Sequence, residues 1–197
     1  MILIGLTGGI GCGKSEVSRL LEKRGAVIVD ADLIVRELQQ PGAEIFRRMV
    51  EMFGDKVLAA DGSLDRAAVA NEVFKDTEIL GKLNLLIHPV VRRVMNERVE
   101  KHRDTDKVVV LDIPLLVENP REGLDGILVV DLDPQIAIER IVDQRKMSID
   151  DAKARVSRQS TREQRLAIAN HVIDNSGDRD ALAKKVETAW SWISSLR

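Results

Sequence analysis

Residues 8 to 15, Gly8-Gly9-Ile10-Gly11-Cys12-Gly13-Lys14-Ser15, set four glycines ahead of an adjacent lysine and serine. This is the spacing G-x-x-x-x-G-K-[ST] of a phosphate-binding loop. A main chain wraps an anion only where side chains do not obstruct it and where positive φ angles aim successive N–H groups inward. Glycine meets both conditions. Lys14 then brings a positive charge to the β- and γ-phosphates, and Ser15 supplies a hydroxyl ligand for Mg²⁺. A helix opening at Lys14 adds its partially positive N-terminus. The ligand implied is a nucleoside triphosphate with Mg²⁺.

Acids follow in two places. "VDADLIVREL" puts Asp30 and Asp32 after an apolar run, and residues two apart on an extended segment share a face. Each acid either acts chemically or caps the helix expected to start near Leu33. "VVVLDIPLLVE" ends an apolar run at Asp112, in the manner of a Walker B acid that holds Mg²⁺ directly or through water; the structural alternative is a turn leading to Pro114. Glu118 has a weaker claim. Cys12, the single cysteine, either has a lowered pKa at the helix N-terminus or is an inert buried thiol.

These residues need a frame, and the apolar runs supply one. "ILIGL" (2–6), "AVIV" (26–29), "KVVVLDI" (107–113), "GILVVDL" (126–132) and "HVID" (171–174) lack the alternation of half-exposed strands and suit a sheet covered on both faces. The first run, the glycine turn, a helix over 14–24 with Val17, Leu20 and Leu21 on one face, a stop at Gly25 and the second run form a strand-helix-strand unit. That order predicts an α/β fold with a parallel sheet and right-handed crossovers. Ligands of such sheets bind beyond the carboxyl ends of the strands, which would bring the acids toward the loop.

Between the second run and the third the signals are helical. Pro89 predicts either two helices over 77–102 or one bent beside His88. The insertion could form a lobe covering a substrate. Residues 133–165 hold more basic than acidic side chains and read either as a solvated pair of helices or as a flap facing an anion. The last segment, 178–196, is an amphipathic helix whose Trp190 and Ile193 are expected in the core.

Composition bounds the function class. The 197 residues are 44% hydrophobic and 31% charged, as in a packed globular protein, and the formal net charge of -2 gives no general basic field for nucleic acid. No segment approaches the roughly 20 apolar residues of a membrane span. The lone cysteine cannot form an intramolecular disulfide, and with no basic leader the expectation is a cytoplasmic protein.

The phosphate loop, "DAD", the helical insertion, "IHPVV", "LDIPLLVE", the basic flap and "STREQRL...ANHVIDNSG" occur in the order found in dephospho-CoA kinases. The chain resembles that family from Ile2 to about Trp190. The resemblance implies a P-loop parallel five-stranded sheet with helices on both faces, a helical substrate-binding insertion and a basic helical lid. Residues 1–32, 105–133 and 166–197 would form the nucleotide-binding core, 33–104 the acceptor-binding insertion and 134–165 the lid. The implied reaction moves the γ-phosphoryl group of ATP to the ribose 3'-hydroxyl of dephospho-CoA, with Mg²⁺.

Carried over by residue, the resemblance implies that Asp32 receives or orients the attacking hydroxyl, with Lys14 and Arg140 also catalytic. Gly9, Ile10, Gly11, Cys12, Gly13, Lys14, Ser15, Glu16, Arg140 and Asn175 would bind ATP, Asn175 near the base. Thr7, Asp32, His88 and Pro89 would hold the acceptor, and Ser15 and Asp112 the metal. Two positions depart from the family pattern: Cys12 stands where serine is more usual, and Val117 where "PLLFE" has phenylalanine. A guanine-nucleotide switch would need Asn-Lys-x-Asp, which is absent, and an early Asp-x-x-Gly, which is matched only at Asp174 to Gly177. A nucleoside monophosphate kinase or other small-molecule P-loop kinase is the alternative.

Overall fold

The computed structural model describes residues 1–74 and 77–196. Five strands, β1 (Ile2–Gly8), β2 (Val27–Asp30), β3 (Val108–Asp112), β4 (Gly126–Asp131) and β5 (His171–Asp174), lie in the order β2-β3-β1-β4-β5. β1 pairs in parallel with both β3 and β4, and β4 in parallel with β5. The chain leaves β1 toward one side of the sheet and leaves β3 toward the other, which puts a topological switch point at these adjacent strands. Leu6 stands opposite Asp112, and Gly8 opposite Val130, so the loop after β1 lies between the ends of β3 and β4.

Every residue of β1 and β3 is buried, as continuous apolar runs predict for strands covered on both faces. Ile2, Ile4, Leu6, Val108, Val110, Leu128, Val130 and Ile173 form one core face. Val17 and Leu21 of α1 (Lys14–Glu22) and Leu182, Val186, Ala189 and Ile193 of α9 (Arg179–Ser194) close over it, with Trp190 packed at its margin. β5 differs from the expectation of a strand covered on both faces. It is an edge strand with β4 as its one strand neighbour, in which Ile173 is buried and Val172 is 41% exposed.

The chain divides into two compact units, Met1–Val29 with His102–Arg197, and Asp30–Lys101. The first holds the sheet, α1 and α9. It also holds α6 (Pro134–Arg145), α7 (Ile149–Ser157) and α8 (Arg162–Ala167). The basic stretch 133–165 is therefore more finely divided than a pair of helices. Its breaks fall at Lys146, in the left-handed region at φ 53, and at Thr161, whose hydroxyl accepts from Gln164 N–H in a capping box.

The second unit holds α2 (Ala31–Leu38), α3 (Glu44–Phe53), α4 (Arg66–Phe74) and α5 (Thr77–Glu100). Ile34, Ile45, Met49, Leu83 and Val91 are among its buried residues. Of the two alternatives at Pro89, the structure has the single helix, with Pro89 inside α5. Proline has no N–H to donate to the carbonyl of Leu85. Leu85 is 77% exposed, so water can serve that carbonyl and the helix persists.

Candidate functional site

The loop between β1 and α1 is built from backbone geometry. Gly11 and Gly13 adopt φ of 79 and 87, a region that disfavours any residue with a Cβ. Cys12 N–H donates to Gly9 O at 3.1 Å and closes the turn. No side chain caps α1: its N-cap is Gly13, so the helix opens with amides that an anion can accept from. Gly13 is constrained a second time, since a Cβ there would stand 2.3 Å from Asn175 Nδ2. That amide is 7% exposed and donates to Cys12 O at 2.8 Å, bracing the loop from the end of β5.

Asp112, 2% exposed, forms the floor. Lys14 Nζ donates to its Oδ1, and Ser18 Oγ donates to Oδ2 at 2.6 Å. The carboxylate thus bridges one helical turn of α1, accepting from Lys14 and Ser18, four residues apart on the same face. The exposed hydroxyl of Ser15 and the buried carboxylate of Asp112 are the donor set that a magnesium-nucleotide takes, since Mg²⁺ keeps most of its ligands as water and phosphate oxygens. No cluster of three or more His, Cys, Asp or Glu occurs among the described residues, so a metal here would depend on the nucleotide for its remaining ligands.

Arg140, on α6, donates from Nη2 to Asn175 O at 3.0 Å, and Asn175 N–H donates to Asp131 O at 2.9 Å. Asp131, 6% exposed, is held by Arg162, whose Nε reaches both carboxylate oxygens at 2.9 and 3.1 Å and whose Nη2 donates to Oδ2 at 2.6 Å. This pairing raises the Arg162 pKa further and ties α8 to the end of β4. Ile10 N–H donates to Gln159 Oε1 at 2.7 Å. Glu118 accepts from Ser160 N–H at 2.7 Å. Burial pushes the Glu118 carboxyl upward, but the two Ser160 hydrogen bonds and the Arg165 charge outweigh it and the net shift is down.

Thr7 is fully buried and donates from Oγ1 to Pro114 O at 3.1 Å. Glu16 accepts from Arg19 Nε at 2.9 Å on the outer face of α1, an arrangement that lowers its pKa. Of the two readings of Cys12, the structure excludes the lowered pKa. Burial pushes the thiol up to about 11, outweighing the Lys14 N–H and the Lys14 and Arg165 charges. The thiol is 2% exposed, so the other reading, an inert buried cysteine, is the one the structure has.

In the second unit, Asp30 resolves one half of the Asp30/Asp32 alternative. Its carboxylate accepts from Leu33 N–H at 3.0 Å and caps α2. Asp32 sits in the first turn and lines a cavity of about 420 Å³, within the range of small-molecule sites. The lining is mostly apolar, with Met49, Val69 and Leu83, and includes Arg36 and Arg66, which make no ion pair among the described residues. His88 and Pro89 lie exposed on α5 and do not contribute to that lining.

Sequence reasoning missed Ser18, Gln159 and the Asp131–Arg162 pair. Ser18 carries a usable signal, being one turn beyond Lys14. Gln159 meets Ile10 across 149 residues, and Arg162 meets Asp131 across 31, with no spacing rule to connect them.

Comparison with known proteins identifies the family and the fold. The family model described as dephospho-CoA kinase matches residues 2–181. The dephospho-CoA kinase of Streptomyces avermitilis is 47% identical over 97% of this chain and 93% of its own length. The crystal structure of TT1252 from Thermus thermophilus superposes with a TM-score of 0.82 at 31% identity, covering 97% of each chain. The dephospho-CoA kinase from Campylobacter jejuni shares the fold, with a TM-score of 0.69 at 23% identity over 98% of this chain and 97% of its own.

Proposed function

The chain belongs to the dephospho-CoA kinase family, and from that premise we propose that it transfers the terminal phosphoryl group of ATP to the ribose 3'-hydroxyl of dephospho-CoA, giving coenzyme A and ADP. The observation that carries the reading is the loop itself. Gly11 and Gly13 at positive φ, an uncapped α1 and Lys14 beside the buried Asp112 converge on one anion site at the carboxyl ends of β1 and β3.

In this reading the loop from Gly9 to Ser15 holds the phosphates through the amides not already given to Gln159 and to Gly9 O, with Glu16 at its edge. Lys14 leaves Asp112 for the β- and γ-oxygens. Ser15 and Asp112 would hold Mg²⁺, which would neutralise charge on the phosphates. Arg140 faces the polyphosphate from the lid, residues 134–165, and Asn175 braces the nucleotide end of the loop. Residues 33–104 form the acceptor lobe, with Thr7, His88 and Pro89 on the acceptor side and the cavity lined by Asp32 as its pocket. Transfer passes through a loose transition state with little bonding to the nucleophile, so Asp32 needs only to align the hydroxyl and accept its proton late.

The test is phosphate transfer from ATP to dephospho-CoA, to a nucleoside monophosphate and to water, measured side by side. Transfer to dephospho-CoA should dominate, and preference for a nucleoside monophosphate would reassign the substrate. Asp32→Asn should lower turnover by about 10²-fold or more while leaving ATP affinity unchanged. Turnover at the level of the unaltered protein would remove Asp32 from the mechanism.

A further inference from the structure

We infer that Arg165 is a nucleotide-binding residue that faces the terminal phosphate of the triphosphate, an inference that rests on the ATP-dependent reading above. Arg165 lies on α8, far from the phosphate loop in sequence, yet its guanidinium reaches the start of that loop. A Cβ placed on Gly9 would meet Arg165 Nη2 at 2.9 Å and Cζ at 3.1 Å. The glycine at position 9 is therefore what admits the guanidinium to the main chain there. Arg165 also lines the small cavity formed by Gly9, Ile10 and Cys12 with Gln159.

Its charge is felt by Glu118 but is not taken up in an ion pair. Among the described residues Arg165 makes no ion pair, and its hydrogen bond runs from Nη1 to the carbonyl of Ser160. The nearby Glu118 carboxylate is engaged with Ser160, and Arg162, three residues away, is taken up by Asp131. Arg165 is held in place from two sides. Gln159 Oε1 accepts from Ile10 N–H, and the Thr161 capping box fixes the first turn of α8. A half-buried, pre-positioned guanidinium without an ion-pair partner is the group suited to a phosphate, which it can engage through two N–H donors.

The position along the loop selects the phosphate. The helix end of the loop, Gly13 to Ser15, presents the amides that take the α- and β-phosphates, and Lys14 reaches onward to the β and γ. Gly9 belongs to the opposite end, where the chain leaves β1. A cation over Gly9 is therefore placed for the outermost phosphate, the one ADP lacks.

The experiment compares ATP and ADP binding by calorimetry in the full-length protein and in Arg165→Gln and Arg165→Lys, with thermal unfolding recorded for each. The glutamine variant should lose about tenfold to a hundredfold in ATP affinity while ADP affinity stays within about twofold. The lysine variant, which retains the charge, should recover part of the ATP preference. Equal losses for ATP and ADP, or no loss for either, would overturn the inference and leave Arg165 as a structural tie to Ser160. If the glutamine variant does not fold, the lysine variant decides in the same way: a smaller, ATP-selective loss supports the inference, and a change shared by both nucleotides or no change overturns it. Failure of the unaltered protein to bind ATP or to phosphorylate dephospho-CoA would instead refute the proposed function.

Discussion

The contact between Gly13 and Asn175 allows the rigidity of the phosphate loop to be measured without any ligand. Alanine at position 13 meets two penalties. Its backbone must hold φ near 87, which for a residue with a Cβ costs about 1–2 kcal/mol. Its Cβ also collides with Asn175 Nδ2 at 2.3 Å and ejects that amide, which strands the buried Cys12 carbonyl at about 1–3 kcal/mol. Gly13→Ala alone should therefore destabilise by about 2–5 kcal/mol. Asn175→Ala alone strands the same carbonyl, at about 1–3 kcal/mol, but opens room for the new methyl group. In the double variant only the φ penalty is added to that loss. The total stays at about 2–5 kcal/mol, where simple addition gives about 3–8, a coupling of about 1–3 kcal/mol. Urea unfolding of the four proteins measures this directly. Additive losses would refute the argument, because they would mean that the alanine never displaces Asn175.

Two further outcomes follow from titration and burial. With its pKa near 11, Cys12 should be thiolate to only about one part in 10⁴ at pH 7, so alkylation in the native protein should be far slower than in urea; rapid native alkylation would contradict the burial assigned to it. His171 stacks on Trp192 with ring centroids 5.0 Å apart, and burial lowers its pKa below 6.5, so the folded state resists the proton that the unfolded chain accepts. Its contribution to stability is complete above pH 6.5 and is lost as pH falls through that value toward the lower folded pKa. His171→Gln should flatten that part of the urea-midpoint profile, and unchanged slopes would exclude the histidine as its source.

What could be read from the sequence was whatever is local. The phosphate loop is legible because its chemistry is a backbone property encoded in eight consecutive residues, and Asp112 because a buried run ends on it. The parallel sheet follows from apolar runs separated by helices. Two details could not be settled from the sequence, for physical reasons. The edge position of β5 depends on strand order, which no single run reveals, and the Cys12 pKa depends on whether desolvation or the neighbouring charges win, which spacing cannot decide. The braces around the loop were illegible for a third reason. Asn175, Gln159 and Arg162 act through contacts that span much of the chain, and each residue type is common on solvated surfaces.

The net charge of -2 likewise gives no hint of how the anion site is made, because what matters is which cations are neutralised. Among the described residues, four cationic side chains, Lys14, Arg140, Arg162 and Arg165, bear on the loop and on the ends of β3 and β4. Two have carboxylate partners, Lys14 with Asp112 and Arg162 with Asp131, and in both pairs the acid ends a central strand and is almost wholly buried. A buried carboxylate without such a partner would be strongly destabilising, so these pairs secure the strand ends. The other two, Arg140 and Arg165, make no ion pair among the described residues and donate only to main-chain carbonyls, which orient a guanidinium without cancelling its charge. They come from α6 and α8, on either side of α7 in the chain. The basic segment thus divides its arginines between two physical tasks: Arg162 fixes the segment to the sheet, and Arg140 and Arg165, in the reading proposed above, supply positive charge to the nucleotide. A substitution at Arg162 is then a change in stability, and one at Arg165 a change in the preference for ATP over ADP.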